Sequence, residues 1–221
     1  MDHFQKKFFL IHCREIDVLV IQAVSINLLI HKFININKAK PLKLLFIKLL
    51  VLTCVTACSS AVTIYKERQP GFSMTSFFNG DLCAWGVVRN RSNDVNRKFV
   101  ASIKATASAD SVELDEVFLF DDGERQTRVW QFTKRGNLWV GEAGDVVGEA
   151  TGEVSGDTLH LTYQLTVKVD DSDYVIAMDD WLHLVDNNTL LGSTDMSKWG
   201  LDVGRIDIVI QKQNNQSCIA Q

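Results

Sequence analysis

Thr158-Leu159-His160-Leu161-Thr162-Tyr163-Gln164-Leu165-Thr166-Val167-Lys168-Val169 decides the fold. Leu159, Leu161, Tyr163, Leu165, Val167 and Val169 take one face, and threonines, His160, Gln164 and Lys168 take the other. A period of two with one dry and one wet face predicts an antiparallel strand covered on one side only. Polar turn residues bound it: Ser155-Gly156-Asp157 before and Asp170-Asp171-Ser172-Asp173 after. The same grammar repeats in both directions, with Asp121-Asp122-Gly123 and Arg135-Gly136-Asn137 as further turns. It predicts strands over 82–90, 97–106, 112–120, 127–134, 138–143, 146–155, 158–169, 174–185, 189–195 and 203–212. Links this short imply a meander, and one that long removes its exposed edges by closing. The expected fold is therefore all-β, a single up-and-down antiparallel barrel of about eight to ten strands. A two-sheet sandwich, the rival architecture, calls for longer crossing links. A barrel of that size has an interior that side chains fill or that holds one small ligand.

Upstream of the strands the chain changes character. Lysines at 38, 40, 43 and 48 precede an apolar run, Leu49 to Ala57, that closes on Val55-Thr56-Ala57-Cys58. A basic start, a short apolar centre and small residues at a cut site make an export signal. The cysteine makes this stretch resemble a bacterial lipoprotein signal, which implies cleavage before Cys58 and acylation of that residue. In such proteins an aspartate after the cysteine favours the inner membrane; Ser59 stands there, which implies the outer membrane, with the domain facing the periplasm. The expected organisation is residues 1–37 as an extension, 38–57 as the signal peptide, 58–71 as a tether, 72–213 as the barrel and 214–221 as a polar tail. Two readings of 1–37 stay open: a start site upstream of the true one, or an additional membrane-inserting segment.

Removing 1–57 takes away 8 basic and 3 acidic residues and leaves 164 residues with 15 basic and 24 acidic, a net of −9. So acidic a chain is a poor partner for nucleic acid, and its length suits one domain. Of the cysteines, Cys83 and Cys218 remain beside Cys58. Export to an oxidising compartment allows them to pair if the first and last strands are neighbours; two separate thiols is the other reading.

Three segments taken in order point to a family: Phe77-Phe78-Asn79-Gly80-Asp81-Leu82-Cys83-Ala84-Trp85-Gly86, Phe120-Asp121-Asp122-Gly123-Glu124 with Arg128-Val129-Trp130, and Asp145-Val146-Val147-Gly148-Glu149-Ala150-Thr151-Gly152. Asp179-Asp180-Trp181 and Met196-Ser197-Lys198-Trp199-Gly200 continue the series. Together they resemble the bacterial lipoprotein family catalogued as domain of unknown function 3833, from about residue 58 to 212. That resemblance implies envelope localisation and this architecture, and supplies no activity. A weaker similarity reaches lipocalin-like (calycin) barrels, in which a glycine and a tryptophan on the first strand and an arginine on the last stack at the closed end. Trp85 and Arg205 are the residues that similarity selects, although Arg205 alternates against Ile206, Ile208 and Ile210.

Chemistry-bearing residues are few. The clusters around Asp121–Glu124 and Asp170–Asp173 sit in turns, where aspartate caps backbone amides, and match no calcium loop; no metal or other cofactor is expected. Asp179 and Asp180 interrupt an apolar strand, so alternation turns one of them inward. A buried carboxylate needs a partner, and Arg128 or Arg205 is positioned to supply it, as a structural ion pair or as a group that orients a ligand. His183 shares a face with Asp179 and Trp181, a candidate acid–base pair; His160 falls on the wet face. The tryptophans at 85, 130, 139, 181 and 199 are expected mostly to fill the interior or its ends. Three functions follow. The first is a non-catalytic barrel holding a small apolar molecule. The second is a filled barrel that docks a protein partner of unknown identity, and the third an enzyme using His183 and an inward Asp.

Overall fold

The computed structural model describes residues 61–169, 171–213, 218 and 219. Cys58, Ser59 and everything before them lie outside the described residues, as do 214–217 of the tail. Ser60–Gln221 forms a compact unit that carries its own core.

Ten strands run in chain order: β1 (Gly80–Asn90), β2 (Val95–Ala107), β3 (Ser111–Phe120), β4 (Arg125–Arg135), β5 (Leu138–Glu142), β6 (Ala150–Ser155), β7 (Thr158–Val169), β8 (Ser172–Asp186), β9 (Thr189–Lys198) and β10 (Leu201–Lys212). Each pairs antiparallel with its sequence neighbours, and β1 pairs with β10, so the sheet closes into an up-and-down barrel. All ten expected strands are present. β6 starts four residues late because residues 143–149 form a loop, with Gly148 at φ 75°. Val146 bridges back from that loop to Leu165, with the Val147 amide donating to Gln164 O and the Thr166 amide to Asp145 O.

Register fixes which side chains enter the barrel. Leu161 faces Asp180, which faces Thr194; Ile206 lies opposite Thr194 and Val88 opposite Ile206. One parity from each strand thus lines the interior. Glycines make room where a large ring lies flat across the wall. A Cβ on Gly86 would sit 2.2 Å from the Phe99 ring, and one on Gly141 would sit 2.4 Å from Phe132.

The two ends differ. At the end carrying the β2–β3, β4–β5, β6–β7 and β8–β9 turns, Leu82, Val112, Phe132, Trp139, Leu159 and Leu190 are buried. A short helix α1 (Met74–Phe77), N-capped by Ser73, closes this base. Phe72, Met74, Phe77 and Phe78 are all buried there, with the Phe77 and Phe78 rings edge-on at 5.2 Å. The segment 61–71, expected as part of a tether, is in fact docked against the barrel. Val62 is buried in a one-turn 3-10 helix (Val62–Tyr65), Tyr65 packs on Trp181 and His183, and the Phe72 amide donates to Gly156 O at 2.7 Å. It docks because Val62 and Tyr65 cover apolar wall that would otherwise face water. Gly156 (φ 56°) lies too close to Tyr65 O to carry a side chain.

At the other end, the mouth, burial of the inward residues is mixed: Val88, Phe118, Phe120, Tyr163, Ile206 and Ile208 are half-buried, whereas Phe99, Leu165 and Met178 are buried. The lower half is thus the better buried, and the upper half is partly exposed to solvent.

Cys83, on β1, is bonded to Cys218, with Cα atoms 5.6 Å apart. The bond ties the end of the chain to the first strand.

Candidate functional site

Midway up the open half, a belt of polar side chains crosses the apolar lining. Glu116 (β3) and Arg128 (β4) are cross-strand partners, both pointing inward. Tyr163 (β7), Asp180 (β8) and Thr194 (β9) continue the belt round the wall. From the β5–β6 loop, Asp145 reaches in to Arg128: Nε donates to Oδ1 and Oδ2, each at 3.0 Å, and Nη2 donates to Oδ2 at 2.8 Å. This two-pronged geometry is the strong form of a charge-assisted pair. Burial works against the Arg128 cation, but the bonds to Asp145 and the field of Glu116 outweigh it and raise its pKa.

Two carboxyls in the belt lack such a cation. Glu116 is 8 % exposed. Burial lifts its pKa from 4.5 to about 7; Arg128 pulls it down, while Asp145 and Asp180 push it further up. Burial likewise lifts Asp180 from 3.8 to about 7, partly offset by hydrogen bonds from the Thr194 and Tyr163 hydroxyls. Even so, Asp180 Oδ1 is buried and has no hydrogen-bond partner. Burial also pushes the Tyr163 hydroxyl well above its usual range, so it remains a donor.

The floor beneath the belt is aromatic. Trp130 stacks on Phe132 at 5.0 Å and meets Tyr163 edge-on at 5.3 Å. Near the rim, Arg97 lies 3.8 Å above the Phe120 ring. It is held there by Asp122 and Glu124, at 2.9 and 2.7 Å from its Nη2. The first acidic cluster thus clamps an arginine, and among the described residues no group of His, Cys, Asp and Glu converges as a metal site.

The other residues singled out from sequence lie elsewhere. Asp180 is the inward member of its pair; Asp179 points outward, 2.7 Å from His160 Nε2. His160 also stacks on Trp181 at 3.9 Å, so it is largely covered by its neighbours. His183 is on the outer wall too, its Nδ1 2.8 Å from the buried Thr158 hydroxyl, which itself donates to Asp157. Burial lowers the His183 pKa. An acid–base pair of His183 with an inward Asp is therefore ruled out by the wall between them. Arg205 faces out and pairs with Asp195 at 2.7 Å, not with Asp180. Nor does it stack on Trp85, which aligns with Val209 while Arg205 aligns with Arg89. The base is closed by phenylalanines instead. Of the five tryptophans, Trp130 and Trp139 are interior. Trp85 and Trp181 are on the outer face, and Trp199 is 90 % exposed at the β9–β10 turn.

Glu116, Tyr163, Thr194 and Asp145 were not anticipated. Glu116 carries a readable signal, since it shares parity with Val112, Leu114, Phe118 and Phe120 and breaks an apolar face as Asp180 does. Asp145 carries none, because loop geometry alone brings it to Arg128. A polar groove of about 570 Å³ also runs outside the barrel along Thr151, Thr162, Gln164 and Asp179; its threonine walls offer no comparable convergence.

The chain matches the family described as "Protein of unknown function (DUF3833)" over residues 52–212, and it belongs to that family. No curated protein matches it. Among solved structures it is similar to an S-type phycobiliprotein lyase, CPES, from Guillardia theta. Identity is 10 %, with 63 % of this chain and 89 % of that chain covered and a TM-score of 0.46. It is also similar to EF1p2_mFAP2b bound to DFHBI, at 10 % identity, over 64 % of this chain and 100 % of that chain, with a TM-score of 0.38.

Proposed function

We propose that this member of the family is a lipid-anchored barrel of the bacterial outer membrane that binds a small, largely apolar molecule in the periplasm. One observation carries the binding reading: six inward apolar or aromatic side chains of the upper half, Val88, Phe118, Phe120, Tyr163, Ile206 and Ile208, are partly exposed, whereas most of those in the lower half are buried. A folded domain that leaves a concave apolar lining open forgoes burial it could have had, and such linings are the usual make-up of ligand sites. The solid base argues against a through-channel, and the open half against a purely structural, filled barrel.

The anchor is inferred from the lipoprotein-like signal ending at Cys58 and from Ser59 after it. Three residue steps separate Cys58 from Ala61, a reach of about 10 Å. An acylated Cys58 would hold the plugged base near the bilayer and leave the mouth facing away.

The test is uptake of an apolar fluorescent probe by the purified Ser60–Gln221 unit, with native mass spectrometry for a co-purified molecule. Probe binding displaced by the native ligand is expected; a folded barrel that takes up no probe overturns the reading. A catalytic reading is second. It is favoured by the two inward carboxyls near neutrality, since such groups are poised for proton transfer. It would be told apart by chemical change in the bound molecule.

A further inference from the structure

We infer that the barrel selects its ligand by a hydrogen-bond-donating end, a hydroxyl, amide or ammonium group on an apolar body, and turns away carboxylates. This deepens the binding reading above and rests on it. The argument is a count of donors and acceptors in the belt. The belt's one cation, Arg128, spends its Nε and Nη2 on Asp145. The second arginine, Arg97, is ion-paired at the rim with Asp122 and Glu124, although its buried Nε makes no hydrogen bond among the described residues. What remains in the belt is Glu116 on β3, Arg128 Nη1, which Asp145 does not hold, and Asp180 on β8, whose buried Oδ1 has no hydrogen-bond partner among the described residues.

An unbonded buried acceptor is costly, and a ligand that supplies a donor recovers that cost on binding. A ligand carboxylate does the reverse. Once Glu116 and Asp180 are ionised, above about pH 7, it would bring a further anion to a belt whose one guanidinium is already paired with Asp145. The aromatic floor of Trp130, Phe132 and Tyr163 suits the apolar body.

Neutral and cationic donors differ in pH response. The groups facing Asp180 are Tyr163 on β7, Thr194 on β9, Glu116 on β3 and Arg128 on β4, with Asp179 adjacent on its own strand but outside. Burial sets both free carboxyls to lose their protons near pH 7. An ammonium ligand therefore binds more tightly at pH 8 than at pH 6, whereas an alcohol changes little.

The experiment is calorimetric titration of the Ser60–Gln221 unit, which contains the whole barrel core, with four probes sharing one chain: dodecanol, dodecylammonium, methyl dodecanoate and dodecanoate. At pH 8, dodecanol and dodecylammonium are expected to bind about tenfold or more tightly than the ester, with dodecanoate weakest. Asp180→Asn, which cannot ionise, should reduce the pH response of dodecylammonium, and Asp180→Asn combined with Glu116→Gln should abolish it; an unchanged response in the double variant overturns the assignment. Equal affinity for all four, or preference for dodecanoate, overturns the inference and leaves the cavity standing. Failure of every probe to bind a folded barrel overturns the cavity itself, and the selectivity with it.

Discussion

Arg128 sits directly across the β3–β4 ladder from Glu116, yet its guanidinium turns to Asp145 in the neighbouring loop, with Nη2 to Oδ2 at 2.8 Å. The interior arginine is consequently committed to the mouth loop rather than to the strand it faces, and the loop is pinned at the rim by the barrel's own charge.

Removing that commitment should change what the barrel accepts. In Asp145→Asn, Arg128 is released toward Glu116, and a negative charge that raises the Glu116 pKa disappears. The Glu116 pKa is expected to fall, as read by carbon NMR of its carboxyl. Affinity for dodecanoate is expected to rise at least severalfold. An unchanged Glu116 titration would refute this account of the belt.

The belt also makes stability depend on pH. The Glu116 pKa is raised in the folded state, to about 7 from 4.5, so the folded barrel keeps a proton that the unfolded chain gives up. Its contribution is full below about pH 4.5 and is lost as pH rises through 7, on the order of 3 kcal/mol in all. Denaturant unfolding should show the native protein losing stability between pH 5 and 8, and Glu116→Gln losing less. Parallel curves for the two proteins would contradict the assignment.

Packing at Gly86 should be intolerant of even one methyl group. An added Cβ meets the Phe99 ring at 2.2 Å and the Asp207 carbonyl oxygen at 2.9 Å, and the latter is backbone. Gly86→Ala is expected to cost about 1–3 kcal/mol, lowering the midpoint of thermal unfolding by roughly 3–10 °C. Pairing it with Phe99→Leu should recover part of the loss.

Reduction tests the link at the chain's end. Cys83 and Cys218 are 135 residues apart in sequence, so their bond closes a long loop in the unfolded chain and is worth about 2–5 kcal/mol. Reductant should lower the unfolding midpoint, and Cys83→Ser should be insensitive to it. Equal response of both proteins would place the stabilisation elsewhere.

Much of this architecture is readable in the chain because a half-wet barrel writes its period directly. Thr158–Val169 alternates cleanly, and its neighbours are bounded by turn residues. Asp180 and Arg128 are readable for the same reason, as polar residues on faces otherwise apolar. Asp145 is not, since its role depends on how a seven-residue loop folds over the rim. The proposed pairing of Trp85 with Arg205 fails because the two occupy different levels of the β1–β10 ladder, a matter of shear that no single strand records. His160 and His183 are occupied on the outer wall by partners across the β7–β8 ladder, His160 by Trp181 and Asp179 and His183 by Thr158, contacts that depend on pairing register.

Phe72, Phe77 and Phe78 turn the molecule into a cul-de-sac. If the barrel holds a ligand as proposed, that ligand must back out along the track by which it entered, so its traffic would be exchange and never flow. A newcomer and an old occupant would then contend for a single doorway.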